Sequence, residues 1–209
     1  EQRHVMIQAS AYRRGGRFVH SRATVFDLTE RKKLEEKLRE QAMTDPLTGV
    51  FNRRYLQAQA AIEIARSRRQ DYAIALVTID LDHFKHINDE YGHDAGDDVL
   101  QAFTRIVSRL LRQEDLLCRV GGEEFAILLP TTPLSQAVQV AERIRHTVQT
   151  TPFSVHEGAL ERTLWLTASL GVTSVSVEET SLKAALKRAD VGLYRAKESG
   201  RNRVEVNDD

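Results

Sequence analysis

Cysteine is nearly absent from this sequence, since Cys118 is the single one among 209 residues. One cysteine cannot form an internal disulfide, so a reducing compartment is the simplest expectation. Because apolar residues flank Cys118, we predict a small buried side chain there. Net charge is also absent, with 30 basic and 30 acidic residues. No broad basic field therefore favours nucleic acid or a membrane surface as a partner.

Long apolar runs are absent as well. No stretch approaches the roughly 18 apolar residues of a membrane-spanning helix. Residues 1–4 do not begin a signal peptide, because no apolar stretch follows them. The chain starts without methionine and inside a predicted strand pair, so we expect a fragment of a longer protein. We predict a cytoplasmic domain with no membrane segment of its own, although the full-length protein could be anchored upstream.

The N-terminal residues have the pattern of a β-hairpin followed by a helix. Residues 5–12 and 17–26 have strand composition, and residues 13–16 form the turn. A lone hairpin is marginal in water, so we expect partners upstream or from another chain. Asp27 or Thr29 is placed to cap a helix over residues 29–44. Its apolar stripe fits a short coiled-coil linker or a helix packed on its own domain, and consists of Leu34, Leu38 and Ala42.

Residues 45–206 alternate between helical and strand periods. Their order is helix, strand, helix, hairpin, helix, strand, helix, strand. This order predicts an α/β fold with a mixed, partly antiparallel central sheet flanked by helices. The run 73–79 is apolar throughout and predicts a central strand buried on both faces. The predicted buried face of the first helix consists of Phe51, Tyr55, Ala58, Ile62 and Ala65.

Further predictions concern the remaining elements. Asp97 is placed to cap a helix over residues 97–112. Two more helices are predicted around residues 134–148 and 182–196. A strand is predicted over residues 163–173, with Gly171 as a β-bulge, and a short last strand over 204–206.

The hairpin around Gly121 and Gly122 carries the first chemical signal. Glycine adopts positive φ without steric cost, so this pair predicts a tight turn between the strands 115–120 and 125–129. Glu123 and Glu124 then lie at its tip. Asp80 ends the buried strand, and its carboxylate would converge with that of Glu123 if the strands were neighbours. Such oxygen ligands suit Mg²⁺ or Mn²⁺.

A nucleotidyl-transfer site is a hypothesis that these acids support. An ion held there could bridge triphosphate oxygens. An amide and a carboxylate, as in Asn88 and Asp97, could read a purine edge. Candidate phosphate ligands are the side chains of Lys85, Lys197 and Arg201 and the backbone amides of His83 and Phe84. Three histidines nearby do not have the spacing of a zinc site.

Several motifs together resemble the GGDEF family of diguanylate cyclases over about residues 43–206. The run Gly121-Gly122-Glu123-Glu124-Phe125 resembles the family signature in its Glu-Glu form. The other matching motifs are Asp45-Pro46-Leu47-Thr48-Gly49, Asn52-Arg53-Arg54, Asp80-Leu81-Asp82-His83-Phe84-Lys85, Ile87-Asn88-Asp89, Tyr91-Gly92-His93, Gly96-Asp97, Ala189-Asp190, Leu193-Tyr194, Ala196-Lys197 and Gly200-Arg201-Asn202. The resemblance implies a palm-like, ferredoxin-like fold similar to class III nucleotidyl cyclases.

The resemblance also implies the reaction and the site. Two GTP would condense to cyclic di-GMP with release of two pyrophosphates. Asp80, Glu123 and the Leu81 carbonyl would bind the metal, with Glu124 beside the reacting centre. Gly121 and Gly122 would allow GTP to approach the hairpin. Asn88 and Asp97 would bind guanine, and Lys85, Lys197, Arg201 and the amides of His83 and Phe84 would hold phosphates. Arg119 would pair with Asp45.

Regulation is implied by two further resemblances. Arg112 and Asp115 stand where the family has an inhibitory product site, to which Arg143 would contribute. Residues 1–28 resemble the end of a PAS sensory domain entering a signalling helix at 29–44, followed by the cyclase domain at 45–209. Because the product has two symmetric phosphodiester bonds, two domains must face each other as a homodimer.

Two other functions compete with this reading. The first is an inactive module that only binds GTP or cyclic di-GMP. The second is a nucleotidyl cyclase that makes a 3′,5′-cyclic mononucleotide. Intact Asp80, Asn88 and Glu123 argue against the former, and the complete set of motifs argues against the latter.

Overall fold

The computed structural model describes residues 3–32, 43–158 and 160–209. The chain forms two compact units, Glu1–Ala42 and Met43–Asp209. The first unit contains the antiparallel strands β1 (Val5–Arg14) and β2 (Arg17–Asp27). Gly15 and Gly16 both have positive φ in the turn that joins them. The predicted hairpin is therefore confirmed, with strands slightly longer than expected.

Every residue of β1 and β2 is exposed, including the apolar Ile7 and Val25. The partners expected for this hairpin remain a prediction. The side chain of Asp27 accepts a hydrogen bond from the Thr29 amide at 2.9 Å, and residues 29–32 are helical. The predicted cap is thus confirmed. The apolar stripe of the predicted linker helix lies outside the described residues.

The second unit holds the helices and the main sheet. Its helices are α1 (Arg53–Gln70), α2 (Phe84–Tyr91), α3 (His93–Ser108), α4 (Leu134–Thr150) and α5 (Lys183–Glu198). Its strands are β3 (Phe51–Asn52), β4 (Ile74–Leu81), β5 (Leu116–Gly121), β6 (Glu124–Leu129), β7 (Phe153–Glu157), β8 (Leu160–Leu164), β9 (Ala168–Val175) and β10 (Val204–Val206).

The main sheet has the strand order β10-β9-β4-β6-β5-β3. The two outer pairs, β10 with β9 and β3 with β5, are parallel, and the inner pairs are antiparallel. All of β4 is buried. The mixed sheet and its buried central strand are therefore confirmed.

Helices cover both faces of this sheet. On one face, Val77 and Ile79 of β4 pack with Phe103 of α3 and Ile144 of α4. On the other face, Leu76 packs with the apolar residues of α1 and α5. Side chains alternate along a strand, so Thr78 and Asp80 lie on the same face as Leu76, towards α1 and α5. Cys118 is fully buried as predicted, and burial raises the pKa of its thiol to about 12.

The predicted buried face of α1 was wrong. The residues that are buried are Leu56, Ala60, Ile64 and Ser67, whereas Ile62 is 57% exposed. Phe51 belongs to β3 and pairs with Cys118 of β5, so it does not mark a helical face. Asn52 caps the helix by accepting a hydrogen bond from the Tyr55 amide at 3.0 Å.

The predicted start of the helix over residues 97–112 was also wrong. Helix α3 begins at His93, directly after Gly92, whose φ of 87° separates it from α2. This positive φ is easily adopted by glycine. Asp97 therefore lies inside the helix, not at its N-cap, and its exposed carboxylate is not used for capping.

The region predicted as one strand over 163–173 is divided in two. Strand β8 pairs with β7 in a separate sheet, and β9 begins at Ala168. Gly171 is not a bulge, because it pairs with Thr78 in an unbroken register. A Cβ at Gly171 would lie 2.0 Å from the carbonyl oxygen of Ala189. Glycine is thus required there because α5 packs directly on the strand.

Candidate active site

The acidic residues meet where β4 and β6 run side by side, at the end of β4. We call this end of the two strands the acidic edge. Asp80 and Glu124 are directly opposite each other in the antiparallel register, so their side chains lie on the same face. Glu123 lies in the turn just before β6, and its carbonyl accepts a hydrogen bond from the Leu81 amide at 3.4 Å. The predicted convergence of Asp80 and Glu123 follows from these neighbouring strands.

A cavity of about 190 Å³ opens at this edge of the sheet. It brings together residues from β4, the start of α2, the hairpin turn and the end of α5. Its lining consists of Asp80, Leu81, Asp82, His83, Phe84, Lys85, Glu123, Lys197 and Arg201. All the candidate metal ligands and candidate phosphate ligands therefore border one space.

Lys197 is the charge partner of Asp80, with its Nζ 2.7 Å from Oδ2. Burial is the largest influence on Asp80 and raises the pKa of its carboxyl group, while Lys197 lowers it. The nearby charges of Glu123 and Glu124 raise the pKa further. Several carboxylates held this close to a buried edge favour a positive charge beside them.

The donor set at this edge fits a hard divalent cation. Asp80, Glu123 and the Leu81 carbonyl offer only oxygen atoms, which Mg²⁺ and Mn²⁺ prefer. Within the described ranges, no three His, Cys, Asp or Glu side chains cluster closely enough to form a complete metal cage. Mg²⁺ is commonly bound by one or two carboxylates together with phosphates of a substrate.

Asp82 is a positioning residue that the sequence interpretation missed. It is 3% exposed and accepts hydrogen bonds from Thr167 Oγ1 at 2.6 Å and Ser169 Oγ at 2.7 Å. It also accepts one from the Asn202 amide at 3.1 Å. Arg201 and Asn202 both have positive φ. Asp82 thus fixes the strained segment that brings Arg201 to the cavity.

The turn of the β5–β6 hairpin differs from the predicted one, because neither Gly121 nor Gly122 has positive φ. A Cβ at Gly122 would meet no atom within 4 Å, and one at Gly121 would meet only Glu124, at 3.4 Å. Neither backbone conformation nor packing within the described residues requires these glycines. The space above them is open to a ligand.

Arg119 holds the turn in place. Its Nε donates to the Gly122 carbonyl at 2.9 Å, and its Nη1 lies 3.0 Å from Asp45 Oδ1, which confirms the predicted pair. Burial alone would raise the pKa of Asp45, but hydrogen bonds from Thr48 and Arg119 lower it below its ordinary value overall. The opening motif is therefore fastened to the hairpin.

The two predicted guanine ligands lie on adjacent helices. Asn88 is half-buried on α2 and Asp97 is exposed on α3. A Cβ at Gly96 would lie 1.9 Å from Asn88 Oδ1, so glycine makes room for the Asn88 side chain next to Asp97. The two residues do not line the 190 Å³ cavity itself.

The predicted product site lies at the other end of the hairpin. The Arg112 amide donates to Asp115 Oδ2 at 2.8 Å, and the second oxygen of Asp115 is buried with no hydrogen-bond partner among the described residues. Both residues border a cavity of about 290 Å³. Burial raises the pKa of Asp115, and the charges of Arg112 and Arg143 oppose this. The Nη2 of Arg143 donates a hydrogen bond to the Leu110 carbonyl at 2.9 Å, two residues before Arg112.

The sequence and the fold both match known proteins. The profile of the family described as diguanylate cyclase, GGDEF domain, matches residues 42–203. The response regulator PleD of Caulobacter vibrioides is 45% identical over 165 residues, which are 79% of this chain and 36% of PleD. Diguanylate cyclase DgcM of Escherichia coli is 45% identical over 182 residues, 86% of this chain and 42% of DgcM.

Among solved structures, the coiled coil and GGDEF domain of DgcB from Caulobacter crescentus, in complex with c-di-GMP, is similar with a TM-score of 0.79. The two share 30% identity over 85% of this chain and 92% of that one. The GGEEF domain of a diguanylate cyclase from Vibrio cholerae has a TM-score of 0.69 and 34% identity, over 76% of this chain and 99% of that one.

These matches, together with the palm-like arrangement of the sheet and the acidic edge, define the family. The chain belongs to the GGDEF family of diguanylate cyclase domains. It spans about a third of the length of PleD, so only part of that relative is matched. Within the described ranges, no helix is both long and apolar enough to cross a membrane.

Proposed function

We propose that this chain condenses two GTP molecules into cyclic di-GMP and two pyrophosphates. The observation that carries the proposal is the cavity that joins Asp80 and Glu123 to the basic side chains of Lys197 and Arg201. Carboxylates that can hold a metal and cations that can hold phosphates occur side by side there. This combination is what transfer of a nucleotidyl group from a triphosphate needs.

The cofactor in this proposal is Mg²⁺ or Mn²⁺, bound by Asp80, Glu123 and the Leu81 carbonyl. When bound, such an ion neutralises phosphate charge and stabilises attacking and leaving oxygens. Lys197 provides a positive charge against Asp80 at 2.7 Å, and the phosphates of GTP would be a second partner for it. Lys85 and Arg201 line the same cavity and would hold the remaining phosphate oxygens.

The base and the ribose of GTP lie outside the metal cavity in this proposal. Asn88 and Asp97 bind the guanine edge, and the amides of His83 and Phe84 contact phosphate. Support comes from Gly96, whose missing side chain leaves room for Asn88. The open space above Gly121 and Gly122 would admit the substrate close to the hairpin. Glu124 faces Asp80 beside the reacting atoms.

A homodimer follows from the chemistry of the product. Each domain would hold one GTP, and each of the two bonds joins the 3′ oxygen of one nucleotide to the phosphorus of the other. Two copies must then face each other about a two-fold axis. We propose that residues 1–28 are the end of a PAS-like sensory domain and that residues 29–44 form the helix that sets this arrangement. The cyclase domain occupies residues 45–209.

Product inhibition is the regulatory part of the proposal. Arg112 and Asp115 would bind a guanine of cyclic di-GMP, with Arg143 as an additional contact. The support is the unpartnered Asp115 oxygen beside the 290 Å³ cavity, because a buried acceptor without a donor is costly. A guanine N–H group would satisfy it.

The test is to incubate the chain with GTP and Mg²⁺ and to identify every nucleotide product by mass spectrometry. Cyclic di-GMP with two equivalents of pyrophosphate supports the proposal. Bound but unconverted GTP at micromolar protein would establish the inactive binding module instead. Formation of 3′,5′-cyclic GMP would establish the third candidate.

A further inference from the structure

A second cleft lies between α1 and α5, next to the acidic edge. Its inner compartment has a volume of about 330 Å³ and reaches Glu124 and Lys197. Its outer compartment has a volume of about 790 Å³ and extends to the beginning of α5. The two compartments adjoin each other, because both are lined by Arg53, Leu186, Asp190 and Tyr194.

The inner compartment contains a buried hydroxyl group without a partner. Thr78 is 3% exposed, and its Oγ1 has no hydrogen-bond partner among the described residues. Such a group costs free energy until a ligand or water bonds to it. Thr78 lines this compartment on the face of β4 that is turned towards α1 and α5.

Two carboxyl groups face the same compartment. Burial raises the pKa of Asp190, as does the charge of Glu124, while Arg53 opposes them. Both acids line the inner compartment. Val120 and Leu193 supply apolar surface between these polar groups. Acceptors set among apolar walls fit a planar ring that carries N–H donors.

The outer compartment has more basic than acidic side chains, with Asp190 as its acidic one. Lys183 and Lys187 line it together with Arg53. It also contains the N-terminus of α5, a helix of 16 residues that starts at Lys183. The Lys183 amide donates to Ser181 Oγ at 3.5 Å. The helix dipole favours an anion such as a phosphate group at that position.

These groups are arranged along one face of α5. Lys183, Lys187, Asp190, Tyr194 and Lys197 all line the two compartments and are separated by four, three, four and three residues. At 1.5 Å per residue, Lys183 and Asp190 are about 10 Å apart along the helix axis. This is comparable to the span from the base edge of a nucleotide to its first phosphate.

We infer that the α1–α5 cleft is a second nucleotide-binding site, which takes a guanosine monophosphate. Guanine presents an adjacent ring N–H and amino group, so it can donate two hydrogen bonds to the carboxylates of Asp190 and Glu124. The Thr78 hydroxyl bonds to the same base, and the phosphate lies against Lys183, Lys187 and the start of α5. This cleft differs from the Asn88 and Asp97 pair, because α2 and α3 pack with the core on the opposite face of the sheet.

The experiment is a titration of the ¹⁵N-labelled chain with guanosine 5′-monophosphate, followed by amide NMR shifts. This probe has a single phosphate and cannot be condensed, so binding is measured without turnover. We expect saturable shifts at Thr78 and along residues 183–194, separate from any at Asn88 and Asp97. Adenosine 5′-monophosphate should bind at least about tenfold more weakly, because its base lacks the ring N–H donor.

Variants test the two compartments separately. Lys187→Glu should weaken binding in the cleft by roughly tenfold or more, since it removes a charge-assisted phosphate contact. Arg195→Glu makes the same charge change on an exposed residue of α5 outside the cleft and should leave affinity unchanged. Thr78→Val should weaken binding roughly fivefold and leave the fold intact, because it deletes only an unpartnered hydroxyl.

Four results would overturn the inference. The first two are the absence of saturable NMR shifts in the cleft and shifts that are confined to Asn88 and Asp97. The third is an equal loss of affinity for guanosine 5′-monophosphate in Lys187→Glu and Arg195→Glu. The fourth is equal affinity for adenosine 5′-monophosphate. None of them depends on whether the chain makes cyclic di-GMP. An inactive chain can still bind guanosine monophosphate in this cleft, and an active one can leave it empty, so the two proposals fail independently.

Discussion

The Nζ of Lys197 lies 2.7 Å from Oδ2 of Asp80 and so joins the last turn of α5 to the end of the central strand. Helix α5 can approach β4 this closely because it packs on Gly171 of the adjacent strand β9. A residue far along the chain thereby becomes the charge partner of the buried carboxylate.

Replacing Lys197 with methionine should impair the use of GTP without unfolding the chain. The variant keeps the aliphatic part of the side chain but loses the ammonium group. Loss of a charge-assisted bond to phosphate should lower kcat/KM by roughly 10- to 100-fold. Arg195→Met, an exposed neighbour on α5, is the matched control. An equal kcat/KM for Lys197→Met and the control would contradict the proposed contact between Lys197 and the phosphates of GTP.

Replacing Arg119 with alanine should destabilise the second unit. Asp45 and Arg119 are both largely buried, and Arg119 also donates to the Gly122 carbonyl. Losing these bonds should cost about 2 kcal/mol in the free energy of unfolding at pH 7. Thermal unfolding measures this cost, and Arg109→Ala, on an exposed arginine, should have almost no effect.

The effect of Arg119→Ala should depend on pH. The fold lowers the pKa of Asp45 below its ordinary value of 3.8. The carboxylate therefore stabilises the folded state above that value, and its contribution disappears as the pH falls through the lowered pKa. The difference in stability between wild type and Arg119→Ala should thus be constant near neutrality and shrink below about pH 4. A difference that grows on acidification would contradict this assignment.

Two glycine substitutions should behave in opposite ways. Gly171→Ala places a Cβ 2.0 Å from the Ala189 carbonyl oxygen and should cost about 3 kcal/mol, since α5 must move away. Gly122→Ala meets no atom within 4 Å and should change the free energy of unfolding by less than about 0.5 kcal/mol. If GTP approaches the hairpin as proposed, Gly122→Ala should nevertheless raise KM. A stable Gly171→Ala protein would refute the close packing.

Arg112→Ala should relieve product inhibition and leave initial rates unchanged. The side chain is exposed, precedes β5 at the end of the hairpin away from the turn, and does not line the cavity at Asp80. The concentration of cyclic di-GMP that halves the rate should rise about tenfold or more. Arg109→Ala serves again as the control. An Arg112→Ala enzyme with unchanged inhibition would refute the product site.

Sequence patterns predicted those parts of the fold that depend on residues close together in the chain. The uninterrupted apolar run of β4 predicted a central strand, and the Gly-Gly turn predicted that β5 and β6 are neighbours. The α1 face was missed because Phe51 belongs to a two-residue strand that pairs with distant Cys118. Strand β7 was missed although buried Phe153 and Val155 alternate with exposed Ser154 and His156, because the alternation spans only five residues.

In the site, the motifs identified the residues that carry the chemistry but not the residues that position them. Asp80, Glu123, Lys197 and Arg201 were predicted and do border one cavity. The role of Asp82 depends on donors at Thr167, Ser169 and Asn202, which only the folded chain brings together. The cleft beside Asp190 likewise depends on the distance between α1 and α5, which no local pattern encodes.

The proposal that two copies of this chain form one cyclic product is tested by mixing wild type with Glu123→Gln and allowing subunits to exchange. At one quarter wild type, cyclic di-GMP formation should fall to about one sixteenth, because both facing domains must be competent. The same mixture with Arg195→Gln in place of Glu123→Gln should keep full activity. A fall to only about one quarter, or no cyclic di-GMP from the pure wild-type chain, would contradict the proposal.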